Sequence, residues 1–350
     1  MIKLLIVDDS ALMRRQLSLL FSAEGDFDIR VARNGQEAVT ENHDFQPDVV
    51  TLDINMPEMD GLTALSLIMT ERPVPVVMIS SLTEKGALAT FEALALGAVD
   101  YIAKPGGTIS LSLDDIRDDI IGKVRVAAKA RLKHSRKAKP VIAAPVLVTP
   151  KLTMARMDRG EGVVVIGVST GGPTTLELIL PQLSINCPWP VLIAQHMPAS
   201  FTQSFANRMN DLCPLSVVEA NRPMVLEAGM IYIGKGGADM QVVRRSGKLT
   251  VIPKPENGEF LWHPSVELLG RSVLEQVDPE RVLAVMLTGM GNDGAAAFSE
   301  IKKKGGRTIA ESEESAVVFG MPAELIKRGG ASVTLHAEKI ALQINAWLGC

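Results

Sequence analysis

The chain has 350 residues, enough for two domains that each bury a core. Its composition, 47% hydrophobic and 22% charged, is that of a globular protein, and no apolar run is long enough to span a bilayer. Three scattered cysteines, Cys187, Cys213 and Cys350, give neither a disulfide framework nor metal-ligand spacing, which excludes a structural zinc class and leaves an expectation of reduced thiols in a cytoplasmic protein.

The amino terminus is a short apolar run that meets Asp8 and Asp9 at once, a first strand rather than a secretory signal. Strand-like runs follow at residues 3–7, 28–32, 48–52, 75–79 and 98–102. Between the first two, Leu12, Met13, Leu17, Leu20 and Phe21 recur at helical period. Five strands alternating with helices imply a doubly wound α/β domain, whose ligands bind beyond the carboxyl ends of the strands. Reactive residue types fall there. Asp8 and Asp9 follow the first strand, Asp53 the third, Ser80 the fourth and Lys104 the fifth. Three carboxylates at one end of a sheet form an oxygen-rich pocket suited to Mg²⁺. Asp53 is then the candidate phosphoryl acceptor, with the metal and Lys104 neutralising the charge that builds in transfer. The plainer alternative is a set of solvated turn acids.

Charge changes sharply after this stretch. Residues 1–119 carry 9 Lys+Arg against 20 Asp+Glu, whereas residues 120–157 carry 10 Lys+Arg and no acid. The segment from Gly122 to 158 is read as a basic, proline-containing linker that begins as a helical extension. Aromatic interleaving is missing and the whole chain is net −4, so a nucleic-acid partner is not expected.

The second half repeats one device three times. Val163–Val168 is a β-branched run that ends in Ser169, followed by Gly171, Gly172 and then Pro173 at the start of a helical pattern. This strand–turn–helix sets a hydroxyl where free N–H groups and the helix dipole favour negative charge. A serine nucleophile needs such a place; a phosphate-binding or purely structural glycine turn would look similar. The run 191–195 delivers His196, and the run 282–287 leads to Thr288-Gly-Met-Gly-Asn-Asp293. Residue types suited to nucleophile, base and orienting acid thus each follow a strand-like run, where an ordinary turn histidine and a plain turn aspartate are the plainer alternatives for His196 and Asp293. Gly167-Val-Ser169-Thr-Gly171 also fits the nucleophile-elbow pattern, but the order Ser, His, Asp along the chain is not that of an α/β-hydrolase.

Two resemblances follow from these motifs. Residues 1–121 resemble a response-regulator receiver domain, through Val7-Asp-Asp-Ser-Ala-Leu-Met-Arg14, Pro47 to Pro57 around Asp53, Met59-Asp-Gly61, Ser80 to Thr83 and Lys104-Pro105. Residues 159–350 resemble the catalytic domain of the CheB chemotaxis methylesterases, through Ile166 to Pro173, Gln195-His-Met-Pro198, Thr288 to Ala295 and Val318-Phe-Gly-Met-Pro-Ala323. Departures are small: Val168 stands where alanine is expected, and Tyr101 where phenylalanine is frequent. The resemblance implies a flavodoxin-like receiver with a five-stranded parallel sheet, then a doubly wound α/β domain with a mostly parallel sheet. It implies a phosphorylation-activated serine esterase that hydrolyses glutamate γ-methyl esters on chemoreceptors, releasing methanol, and deamidates receptor glutamines. Ser169, His196 and Asp293 are its expected triad, with an oxyanion hole at the N–H groups of Thr170 and Met290. Asp53 is the expected phosphorylation site, Asp8, Asp9, Asp53 and the Asn55 carbonyl the expected Mg²⁺ ligands, and Ser80, Tyr101 and Lys104 the expected switch. A CheA-type histidine kinase is the implied phosphodonor. The alternatives are an esterase of a non-receptor protein and a phospho-dependent binding module.

Overall fold

The computed structural model describes residues 1–81, 83–104, 116–130, 161–256 and 258–350. Pro105 and the linker from residue 131 to 158 lie outside them.

The first unit runs β1 Ile2–Val7, α1 Ala11–Ser22, β2 Phe27–Ala32, α2 Gly35–Phe45, β3 Val49–Asp53, α3 Gly61–Glu71, β4 Val76–Ser81, α4 Glu84–Ala95, β5 Asp100–Lys104 and α5 Arg117–Ala127. Its sheet is wholly parallel with order β2-β1-β3-β4-β5. Leu4, Leu5, Ile6 and Val7 are all fully buried, as expected for a strand covered by helices on both faces. Each early helix starts at a side-chain cap: Ser10, Asn34, Asp60 and Thr83 accept the N–H of Met13, Glu37, Thr63 and Gly86. The strands match the expected runs with shifts of one or two residues. Asp53 is the last residue of β3, in register with Ile79, rather than the first of the loop. β4 extends through Ser80, and β5 through Lys104. α5 runs across the expected linker boundary and buries Ile120, Ile121, Val124 and Ala127 beside Leu4 and Ile6, so residues 122–127 pack with the first unit.

The second unit contains β6 Val163–Val168, α6 Gly172–Ile179, β7 Val191–Gln195, α7 Ala199–Leu212, β8 Ser216–Ala220, β9 Met224–Val225, β10 Met230–Gly234, β11 Ala238–Arg245, β12 Lys248–Pro255, α8 Val266–Gln276, β13 Val282–Met286, α9 Ala295–Lys303, β14 Arg307–Glu311, α10 Met321–Lys327, β15 Val333–Leu335 and α11 Ala337–Leu348. Seven strands form a parallel sheet ordered β15-β14-β13-β6-β7-β10-β8. β11, β12 and β9 form a small antiparallel sheet beside it. After β6 the chain turns one way to β7 and later returns on the other side as β13. The order reverses at β6, so a crevice opens at the carboxyl ends of β6, β7 and β13. Among the described residues, no helix is long and apolar enough to cross a membrane.

Candidate functional site

Register brings Ser169 and His196 together. Val168 pairs with Gln195, and the His196 N–H donates to the Val168 carbonyl at 3.1 Å, so the residues just past both strands are neighbours. Ser169 donates its own N–H to the Thr288 carbonyl at 2.9 Å, which ties the serine to the loop after β13. The Thr288 hydroxyl donates to the Thr170 carbonyl at 2.8 Å, and the Gln195 amide donates to the Ser169 and His196 carbonyls at 3.0 Å each. Gly289 is needed here: a methyl group at this position would stand 2.7 Å from the Ser169 Cβ. Gly171, with φ at +76°, starts α6 beyond the serine.

The Asp293 carboxylate lies at the amino end of α8. It accepts from the N–H of Val266 at 2.7 Å and of Glu267 at 2.9 Å, from the Ser265 hydroxyl at 3.1 Å, and faces His196 Nε2 at 2.9 Å. Burial pushes its pKa up, but the His196 hydrogen bond and charge and the two backbone N–H groups outweigh it, leaving the carboxyl below the ordinary range. With Nε2 engaged by Asp293, His196 Nδ1 is the free ring nitrogen; it is buried and has no partner among the described residues. The Trp262 indole lies parallel to the imidazole, centroids 5.7 Å apart and planes within 8°.

At the carboxyl end of the first sheet, oxygens of Asp8, Asp9 and Asp53 lie within 4.8 Å of one another. Lys104 Nζ sits 2.7 Å from Asp53 and 3.0 Å from Asp8. Burial raises the Asp53 pKa more than Lys104 lowers it, and the Asp8 charge adds to the rise. Three carboxylates at this spacing fit a hard divalent cation such as Mg²⁺. Gly61 lets the chain pass directly over the Asp53 carbonyl, which a side chain would overlap. The Ser80 hydroxyl donates to the Gly86 carbonyl at 3.1 Å.

The two units touch through these same elements. The Thr170 hydroxyl donates to the buried Asp100 carboxylate at 2.8 Å. The Tyr101 ring, buried, stacks on Phe201 of α7 at 4.8 Å, and Phe91 of α4 meets Phe201 and Phe205 at 6.3 and 5.4 Å. Burial raises the Asp100 pKa, against Lys123, which pulls it down.

Thr288, Gln195, Ser265, Trp262 and the Asp100–Thr170 bond were not among the residues expected from sequence. Of these, Gln195 and Thr288 stand in the motifs around His196 and Asp293, and Ser265 carries a local signal as a serine before the apolar period Val266, Leu269, Val273.

A 2-1-3-4-5 parallel sheet with an acidic carboxyl end, followed by a second parallel sheet with reactive side chains at its switch point, is a receiver joined to an α/β enzyme domain. The sequence profile of the response regulator receiver domain matches residues 4–112, and that of the CheB methylesterase matches residues 164–344. The protein-glutamate methylesterase/protein-glutamine glutaminase 3 of Rhodospirillum rubrum is 54% identical over 99% of this chain and 96% of its own length. The like-named protein of Caldanaerobacter subterraneus is 50% identical over 97% of this chain and 95% of its own. The crystal structure of the Thermotoga maritima CheB methylesterase catalytic domain, 36% identical, covers 53% of this chain and 97% of its own, with a TM-score of 0.51. The chain belongs to the CheB methylesterase family.

Proposed function

We propose that this chain is a phosphorylation-gated protein-glutamate methylesterase and protein-glutamine glutaminase that acts on chemoreceptors. The observation that carries it is the Asp293–His196 pair set in register beside Ser169 at the switch point of the second sheet. It agrees with the names of the full-length relatives.

In this reading the Ser169 hydroxyl attacks the ester carbonyl carbon, and His196 Nδ1 takes its proton. Asp293 holds the imidazole by Nε2 and stabilises the imidazolium. The carbonyl oxygen gains charge against the N–H groups of Thr170 and Met290. Collapse expels methanol with the proton from His196, leaving an acyl-serine. Water then attacks that ester while His196 takes its proton, and collapse breaks the acyl–oxygen bond as His196 returns that proton to the Ser169 oxygen, releasing a free glutamate. A glutamine side chain passes through the same acyl-serine with loss of ammonia.

The gate is assigned to the receiver. Asp53 accepts a phosphoryl group from a histidine kinase of the CheA type or from a small phosphodonor. Asp8, Asp9, Asp53 and the Asn55 carbonyl would hold Mg²⁺, which supplies neutralisation of phosphoryl charge; Lys104 adds a second cation. Ser80 and Tyr101 form the switch. The proposed division is a receiver over residues 1–121, a linker over 122–158 whose first residues continue α5 against the receiver core, and a catalytic domain over 159–350. We place the protein in the cytoplasm.

The test is methanol release from methylated receptor fragments with and without acetyl phosphate. The full chain should respond to the phosphodonor. Asp53→Ala should keep its basal rate and lose the response, and Ser169→Ala should be folded and inactive. Wild-type turnover by Ser169→Ala would remove the nucleophile assignment.

A further inference from the structure

Behind the triad lies a second buried carboxylate. Asp239, the second residue of β11, is 2% exposed. Its Oδ1 accepts the Ser265 N–H at 2.8 Å and His263 Nδ1 at 2.9 Å. Ser265, fully buried, spends its hydroxyl twice: it donates to Asp293 at 3.1 Å and accepts the Leu268 N–H at 3.2 Å, capping α8. The next two residues give their N–H groups to Asp293. The preceding residues, Trp262 and His263, put an indole along the His196 ring and an imidazole on Asp239. One oxygen of Asp239 therefore fixes the peptide from which the Asp293 cradle begins. A charged acceptor makes the stronger hydrogen bonds, so it sets that peptide more firmly than water would.

We propose that Asp239 is a positioning residue for the esterase step, acting through Ser265 and the first turn of α8 on Asp293. The proposal rests on the Ser169, His196, Asp293 reading. Asp239 touches no reacting atom. It fixes where the Asp293 carboxylate stands against His196, and a displacement of about 1 Å in such an array costs on the order of a hundredfold in rate.

The experiment is a mutant cycle in the full chain, with kcat and KM measured on methylated receptor fragments and thermal unfolding recorded for each variant. Asp239→Ala should lower kcat about tenfold to a hundredfold with KM changed by less than about threefold. Asp239→Asn should recover most of the loss, because its carbonyl oxygen still accepts both N–H groups. In an Asp293→Ala background, Asp239→Ala should cost nothing further, since the residue through which it acts is gone. Asp239→Leu, which removes both acceptor oxygens at similar volume, should behave in the cycle as Asp239→Ala does, and it carries the test where the latter does not fold. Losses that multiply in full with that of Asp293→Ala would overturn the proposal, as would a folded Asp239→Ala with unchanged kcat. If Asp293→Ala alone retained near wild-type kcat, the triad reading would fail instead.

Discussion

Asp293 shows how one carboxylate is kept ionised inside a protein. Burial pushes its pKa up; His196 and the N–H groups of Val266 and Glu267 more than reverse that. Its folded pKa lies below the unfolded one, so its contribution to stability is complete above the ordinary aspartate range and is lost only as pH falls through the lower, folded value. Between pH 7 and 5 it therefore stays charged. Asp293→Asn removes the charge at nearly constant volume and should lower kcat by roughly 10⁴-fold. Steady-state kinetics on methylated receptor fragments would show it, and a variant retaining a tenth of the activity would take Asp293 out of the triad. Ser169, His196 and Asp293 were legible because each follows an apolar run. The Ser265 hydroxyl on Asp293 was not, because it joins residues 28 positions apart on different elements.

At the scale of elements, the parallel strands were readable because strands buried on both faces are continuous β-branched runs. Their ends were less so. Sequence put Asp53 and Ser80 beyond their strands, whereas neighbouring strands extend pairing through Asp53↔Ile79 and Ser80↔Ala103. α5 was assigned in part to the linker because its basic composition resembles the segment after it; its buried face decides otherwise. The antiparallel sheet of β9, β11 and β12 was not anticipated, yet β11 carries Asp239 and packs against α8. The glycine loop after β13 is set by contact rather than propensity. In Gly289→Ala a methyl would press on both the Ser169 Cβ and the Met321 sulfur, at 2.7 and 2.5 Å. Overpacking of this kind costs about 1–3 kcal/mol, and here it would also displace the nucleophile. The expected result is a lowered unfolding midpoint together with a fall in kcat larger than that of a methyl added elsewhere in the loop. Wild-type kinetics in that variant would show that the loop does not set the position of Ser169.

At the scale of the molecule, the question is how Asp53 reaches Ser169. The expected linker is too long to act as a rod, so coupling has to run through an interface that differs between phosphorylation states. The two units do meet in an interface that could serve. Asp100 receives the hydroxyl of Thr170, next to the nucleophile, and Tyr101, next to Asp100 and in the expected switch, stacks on Phe201. Gly122 of α5 faces Met290, with room for a methyl only 3.4 Å from its Cε. The receiver thus sits against the loops that carry the expected oxyanion donors. Cover of the groove is the simplest gate to propose: phosphorylation would move the face around Ser80 and Tyr101 and loosen these contacts. Phe91 tests this from the receiver side, because its ring packs on Phe201 and Phe205 and it lies apart from the triad and the acidic cluster. Phe91→Ala should weaken docking by part of the roughly 3–5 kcal/mol that losing a buried phenylalanine costs. The unphosphorylated variant should then hydrolyse methylated receptor faster than the unphosphorylated wild type, and acetyl phosphate should add less to it. The gain should shrink on a small ester that passes the receiver without displacing it. If Phe91→Ala lowers the unfolding midpoint but leaves the basal rate where it was, the receiver is not acting as a cover, and phosphorylation must build the site rather than uncover it.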